Sequence, residues 1–190
     1  MDQHPHARNY LASMAVAGLA GEIWVVDNAS RDGSVEAVRE QFGPEPRLRL
    51  VASPANLWFG GGQNLALRLM GFEGAPLSEA GKEIAREARA TLGLDREPRA
   101  LPRYVLILNP DTAVRPEALG RLVAFMDAHP GVGVCGPSLV YGDGRFQHAA
   151  YRFPSLSQCI LDFWPINWRL AESRLNGRYP RRSFESGQPF

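Results

Sequence analysis

The apolar run Tyr104–Leu108 is the feature that most constrains the fold, because polar residues bound it on both sides. A run of this kind predicts a strand that is buried on both faces of a parallel sheet. It ends at Asn109, Pro110 and Asp111, where the proline interrupts strand pairing. Ligands of open parallel sheets bind beyond the carboxyl ends of the strands, so Asp111 stands where a ligand is expected.

Asp111 has two interpretations at this position. Its carboxylate can hold a hard divalent cation, Mg or Mn, which prefers oxygen ligands and takes one or two carboxylates together with substrate phosphates. Alternatively, Asp111 forms a turn that ends the strand. Taken alone, the position of Asp111 favours the turn. The polar residues at two other strand ends favour a ligand-binding site instead.

A second apolar run, Glu22–Asn28, ends in the acid Asp27 and the amide Asn28. Turn and cap formers follow in residues 30–34, and Val35, Val38 and Phe42 then give a helical face. This order predicts a strand, a turn and a helix.

A third strand is predicted at Leu48–Ala52, with Asn56 in the loop that follows it. Three glycines, Gly60, Gly61 and Gly62, come before Asn64 and a helical face. Glycines let the backbone approach a ligand closely, and the N-terminus of the next helix favours a phosphate or sugar contact.

Further along the chain, Val132–Cys135 predicts another buried strand, and Gly142-Asp143-Gly144 predicts a hairpin. Strands that alternate with helices predict an α/β fold, a three-layer α/β/α sandwich with a mostly parallel sheet. The three strand ends then meet at one edge and predict a nucleotide pocket. The candidate binding residues are Asp27, Asn28, Asn56, Gly60, Gly61, Gly62, Asn64, Asn109 and Asp111, with Asp111 as the metal ligand. Each has a simpler alternative: Asp27 as a helix-entry cap, Asn56 as a turn former and Asp111 as a turn.

Composition narrows the class of protein. The 190 residues are 45% hydrophobic and 22% charged, which is typical of a soluble globular protein with room for a sizeable core. A net charge of +1 gives no support for nucleic-acid binding. The two isolated cysteines indicate a reducing compartment, and no signal peptide or membrane-spanning run is apparent. A cytoplasmic location is expected.

Three segments resemble ordered motifs of the family 2 glycosyltransferases: Val25–Ser34, Asn56–Asn64 and Leu108–Thr112. Two further segments, Asp143–Gln147 and Arg152–Ser155, resemble the rhamnosyltransferase-like branch, which builds bacterial surface polysaccharides. The resemblance covers about residues 9–156 and is interrupted by an insertion at about 71–102. Prolines and glycines in this insertion frame a predicted charged helix, roughly Ser78–Leu92, and the insertion is expected to be a surface excursion.

The resemblance implies a GT-A fold, a UDP- or dTDP-linked sugar donor, a divalent cation and a saccharide or lipid-linked acceptor, with inversion at the transferred sugar. The acid that matches Asp27 contacts the base. The acid that matches Asp111 ends a metal-binding Asp-x-Asp-type motif, whose first position here is Asn109. Asparagine brings no charge, so Asp111 carries the site together with the phosphates. The cation would neutralise the leaving diphosphate.

The resemblance also divides the chain. Residues 1–155 would form the donor-binding domain, and residues 156–190 would begin the acceptor side. The first strand of the family and its acidic motif with the general base have no counterpart, so the chain is expected to be truncated at both ends, and no catalytic residue is assigned.

Two other functions compete with the transferase. One is a non-catalytic remnant that binds nucleotides. The other is a nucleotidyltransferase, but the glycine-rich loop with a basic residue that is usual in that class is not visible in this sequence. The segment Cys159–Arg174 interleaves apolar and arginine residues. It is expected to pack on the missing second half, and peripheral contact with the inner membrane face is the alternative.

Overall fold

The computed structural model describes residues 12–95 and 100–149, together with Leu156 and Tyr179. A helical turn at residues 12–16 precedes the regular elements. These elements are β1 (Ile23–Asn28), α1 (Ser34–Phe42), β2 (Leu48–Ser53), α2 (Trp58–Met70), α3 (Glu79–Thr91), α4 (Ala118–Ala128), β3 (Leu139–Val140) and β4 (Phe146–Gln147). The chain packs as two compact units, residues 1–124 and 125–190.

In the first unit, β1 and β2 pair in parallel, with Ile23 opposite Leu48 and Asn28 opposite Ser53. Parallel neighbours require a crossover connection, which α1 supplies. Gly33 precedes α1 with φ of +82°, a left-handed conformation that glycine adopts without strain. The predicted strand, turn and helix are confirmed as β1 and α1, and the strand predicted at Leu48–Ala52 is confirmed as β2. Because the carboxyl ends of both strands lie together, their polar residues share one edge of the sheet.

The core of this unit lies between the sheet, α2 and α3. It consists of Val51, Leu65, Leu69, Ile84, Ala85 and Leu94. Ser78 begins α3 as predicted, since its hydroxyl accepts a hydrogen bond from the Gly81 N–H at 3.1 Å. The interpretation of residues 71–102 as a surface excursion is wrong, because Ile84 on α3 is only 7% exposed and packs in the core.

The helical turn at residues 12–16 is tied to the start of α4. Ser13 is fully buried, and its hydroxyl donates a hydrogen bond to the Pro116 carbonyl at 2.7 Å. A Cβ added to Gly120 would lie 3.0 Å from the Ala17 Cβ, so the two backbones approach closely. A small residue is therefore required where α4 passes this turn.

The central strand predicted at Tyr104–Leu108 is wrong. The segment forms no strand, and its residues Tyr104 to Ile107 are 37–56% exposed. Leu101 and Val105 instead line an open groove of about 780 Å³ beside the C-terminal end of α2. An apolar run becomes a strand only when a neighbouring strand pairs with it, and in the described residues the parallel sheet contains β1 and β2 alone.

The second unit carries one confirmed prediction and one error. Gly142-Asp143-Gly144 turns a hairpin in which β3 and β4 pair antiparallel, with Gly144 at φ of +84°. The strand predicted at Val132–Cys135 is wrong, because these residues are irregular and Val134 is 88% exposed. Burial of a short apolar run depends on a partner surface, which the run itself does not specify.

An α/β fold with helices and a small parallel sheet is thus confirmed. None of the helices in the described part of the chain is both long enough and apolar enough to cross a membrane. The predicted domain boundary near residue 155, the motif Arg152–Ser155 and the segment Cys159–Arg174 lie outside the described residues.

Candidate functional site

Asn28, the last residue of β1, joins the sheet to the start of α2. Its Oδ1 accepts a hydrogen bond from the Leu57 N–H at 2.7 Å, and its Nδ2 donates to the Trp58 carbonyl at 3.1 Å. Both polar atoms of one side chain are therefore used by two consecutive main-chain groups. We call this arrangement the Asn28 clamp. It fixes the beginning of the glycine-bearing helix at the carboxyl end of the parallel strand.

The loop between β2 and α2 is held by two more side chains. Asn56 accepts a hydrogen bond from the Trp58 N–H at 2.8 Å, which satisfies a main-chain donor at the start of the helix. Ser53 is buried, and its hydroxyl donates to the Ala55 carbonyl at 2.5 Å. Asn56 therefore acts here as the turn former that the sequence offered as its simpler interpretation.

The three glycines at the start of α2 occupy different surroundings. A Cβ added to Gly60 would meet no atom within 4 Å, so this position is open. At Gly61 it would lie 3.0 Å from the Leu57 Cβ, a close approach. At Gly62, which is buried, it would lie 3.8 Å from both the Asn28 Nδ2 and the Val26 Cγ1. Gly60 has the space that a ligand contact needs, whereas Gly62 packs on β1.

Two residues with unusual backbone conformations flank the clamp. Ala29 and Trp58 have φ of +66° and +62°, and they are the described non-glycine residues with positive φ. Such conformations cost of order 1–3 kcal/mol each and concentrate at functional sites. Trp58 is also 78% exposed, and its neighbour Phe59 is 71% exposed. Both aromatics lie in the segment Asn56–Asn64, but the sequence assigns them no role because no local pattern signals a left-handed tryptophan.

Asp27 lies at the same edge of the sheet but on its other face. Side chains alternate along a strand, and Val26 and Asn28 both face Gly62 on α2, so Asp27 points away from that helix. Its Oδ2 accepts a hydrogen bond from the Ser30 N–H at 3.0 Å. Within residues 12–95 and 100–149, its Oδ1 accepts none and can receive a donor from a ligand.

Asn109 and Asp111 lie in an exposed turn, where the Thr112 N–H donates to the Asn109 carbonyl at 3.2 Å. Among the described residues, neither side chain makes a hydrogen bond, and none links them to the clamp. Asn64 is half-buried and lines the groove beside Val105. The structure thus brings Asn28, Asn56 and the glycines together, while Asn109, Asp111 and Asn64 stand apart from these contacts.

The surroundings of the Asp111 carboxylate decide which kind of metal ion it could hold. The described residues contain no group of three or more histidine, cysteine or acidic side chains that could hold an ion. A single exposed carboxylate fits only a cation that takes its other ligands from water and a diphosphate. The donor set therefore suits an ion that arrives with the substrate rather than one held by protein ligands alone.

Comparison with known proteins gives one match. Residues 8–71 match the model of the family described as glycosyl transferase family 2. Neither the curated proteins nor the solved structures yielded a match. The matched segment contains β1, α1, β2 and α2, and hence the whole Asn28 clamp, whereas Asn109 and Asp111 lie beyond it. The match does not favour a remnant without activity. The matched segment is about a third of the chain, and it makes this part of the chain similar to the family 2 glycosyltransferases.

Proposed function

We propose that this chain binds the donor of an inverting glycosyltransferase. The donor is a UDP- or dTDP-linked sugar, and the acceptor is a saccharide or a lipid-linked saccharide. The rhamnosyltransferase-like branch, which serves polysaccharide biosynthesis, is the proposed placement within the family. The family match over residues 8–71 supports the reaction class, and the motifs around Asp143 and Arg152 support the branch.

One observation carries the proposal. The Asn28 clamp holds the glycine-bearing start of α2 against the carboxyl end of β1, with bonds of 2.7 and 3.1 Å. Ligands of α/β proteins bind at this edge of a parallel sheet. The space around Gly60 is open there, and Asp27 presents an oxygen from the other face. The residues that build this edge are those that match the family.

Each candidate residue has its own proposed role in donor binding. Asp27 accepts a hydrogen bond from the base or ribose, and Gly60 lets the main chain approach the donor. Asn28 and Asn56 set the position of that main chain. Asn109 and Asp111 face the diphosphate and its cation, Mg or Mn. Such a cation, when bound, supplies positive charge to the leaving diphosphate.

The finer architecture is also a proposal. A parallel sheet is normally covered by helices on both faces, and α2 packs on β1 from one of them. This supports a complete GT-A arrangement in which helices cover both faces of the sheet as a three-layer α/β/α sandwich.

A calorimetric titration with UDP- and dTDP-sugars, with and without Mn²⁺, tests the proposal. We expect the protein to bind at least one donor, with Mn²⁺ increasing the affinity. Asp27→Asn should weaken binding in both conditions, and Asp111→Ala should remove the Mn²⁺ dependence. Asp143→Asn, at an exposed carboxylate in the hairpin, is the matched control and should bind as wild type. Absence of binding to all donors would contradict the proposed function.

A further inference from the structure

Trp58 and Phe59 place two large aromatic side chains in solvent beside the candidate site. They are 78% and 71% exposed, and they directly precede the open position Gly60. Single exposed apolar residues are common on protein surfaces. The features that distinguish Trp58 from such residues are its rigid support and its backbone conformation.

The main chain of Trp58 is fixed on both sides. Its N–H donates to the Asn56 Oδ1 at 2.8 Å, and its carbonyl accepts from the Asn28 Nδ2 at 3.1 Å. The indole is therefore carried by a fixed segment at the end of β1. An aromatic group on rigid support loses little conformational entropy when it binds a ligand.

Trp58 also adopts φ of +62°, which is unfavourable for a bulky residue. With 78% exposure, packing of the indole against this chain offsets little of that cost. A glycine would relieve the strain without loss of much buried surface. A tryptophan at this position is understandable if its side chain packs on something other than this chain.

We propose that the indole of Trp58 stacks on the planar base of the donor nucleotide. This inference rests on the proposed function and assigns it a residue for base binding. Stacking on an aromatic side chain uses the face of the base, which leaves its edge available for hydrogen bonds. The space around Gly60, two residues further along the chain, is open and leaves room for the adjoining ribose.

The test measures UDP and dTDP affinity by calorimetry for wild type and three substitutions of Trp58. Trp58→Gly should weaken binding about tenfold, as expected for the loss of one stacking contact. Trp58→Phe keeps an aromatic face and should stay within about threefold of wild type. Trp58→Leu keeps an apolar side chain without the planar face and should weaken binding as much as Trp58→Gly.

Ala29→Gly is the matched control, because Ala29 has the same positive φ without an aromatic side chain. Both glycine variants should melt at or above the wild-type temperature, since each relieves strain. Of these two glycine variants, only Trp58→Gly should lose nucleotide affinity. A structural role for Trp58 would instead lower the melting temperature and leave the affinity of the folded protein unchanged.

The outcomes separate the two proposals. If wild type binds UDP or dTDP and Trp58→Gly and Trp58→Leu bind equally well, the stacking proposal is overturned and the proposed function stands. If Trp58→Phe binds as weakly as Trp58→Gly, aromatic stacking is likewise overturned. If wild type binds neither nucleotide, both proposals fail.

Discussion

Asn28 and Leu57 are 29 residues apart in the chain, yet the Asn28 Oδ1 lies 2.7 Å from the Leu57 main-chain nitrogen. The bond joins the end of a strand to the entry of a helix across the edge where a ligand is expected. Because the same amide also donates to the Trp58 carbonyl, one side chain sets both the position and the orientation of the helix start. The candidate site therefore depends on an interaction that is remote in sequence.

Loss of the clamp should destabilise the protein. Asn28→Ala removes both hydrogen bonds and should lower the free energy of unfolding by about 1–2 kcal/mol. Asn28→Asp keeps the acceptor for Leu57 but brings a carboxylate towards the Trp58 carbonyl, so it should not restore full stability. Urea denaturation measures both effects. Asn109→Ala, at an exposed side chain, should stay within about 0.5 kcal/mol of wild type, and an equal loss in this control would contradict the clamp.

The three glycines should respond differently to alanine. Alanine is favoured over glycine within a helix by about 0.8–1 kcal/mol, so Gly60→Ala should stabilise the protein because its surroundings are open. Gly62→Ala places its methyl at an ordinary contact distance and should be tolerated. Gly61→Ala places its methyl 3.0 Å from the Leu57 Cβ and should lose most of the helix gain.

Melting temperatures of the three alanine variants give this order directly. A Gly61→Ala variant as stable as Gly60→Ala would show that the helix entry is looser than the structure indicates. Nucleotide titration of Gly60→Ala adds a separate measurement, because the added methyl occupies the space that the donor would use and should weaken binding despite the gain in stability.

Helix α3 should behave as part of the core. Ile84→Ala removes a side chain that is 7% exposed and packed with Leu65 and Leu69, so it should cost about 2–5 kcal/mol. Lys82→Ala on the exposed side of the same helix should change stability by no more than about 0.5 kcal/mol. Chemical denaturation compares the two. A small effect at Ile84 would return residues 71–102 to the status of a peripheral insertion.

The segment Tyr104–Leu108 gives the opposite expectation. Ile107 is 56% exposed, so Ile107→Ala should cost about 1 kcal/mol or less. A strand buried on both faces would give about 2–5 kcal/mol for the same substitution. The free energy of unfolding, measured with Ile84→Ala as the buried reference, distinguishes the two. A loss equal to that of Ile84→Ala would restore the predicted strand.

The sequence determined the elements whose signals are local. The apolar run before Asp27, the prolines and glycines that frame Ser78–Leu92 and the glycines around Asp143 each act locally, so β1, α3 and the hairpin could be predicted. It also determined which residue types gather near the end of β1. These local signals predict the observed elements because the hydrogen bonds of turns and caps form between residues that are near neighbours in the chain.

Only the tertiary structure decided what those elements pack against. The periodicity of α3 did not reveal that Ile84 enters the core, and the apolarity of Tyr104–Leu108 did not secure a strand neighbour. Likewise, nothing local indicated that the Asn28 side chain would bond to Leu57 through its Oδ1 and to Trp58 through its Nδ2. Burial and pairing are properties of two surfaces in contact, and a chain segment specifies only one of them.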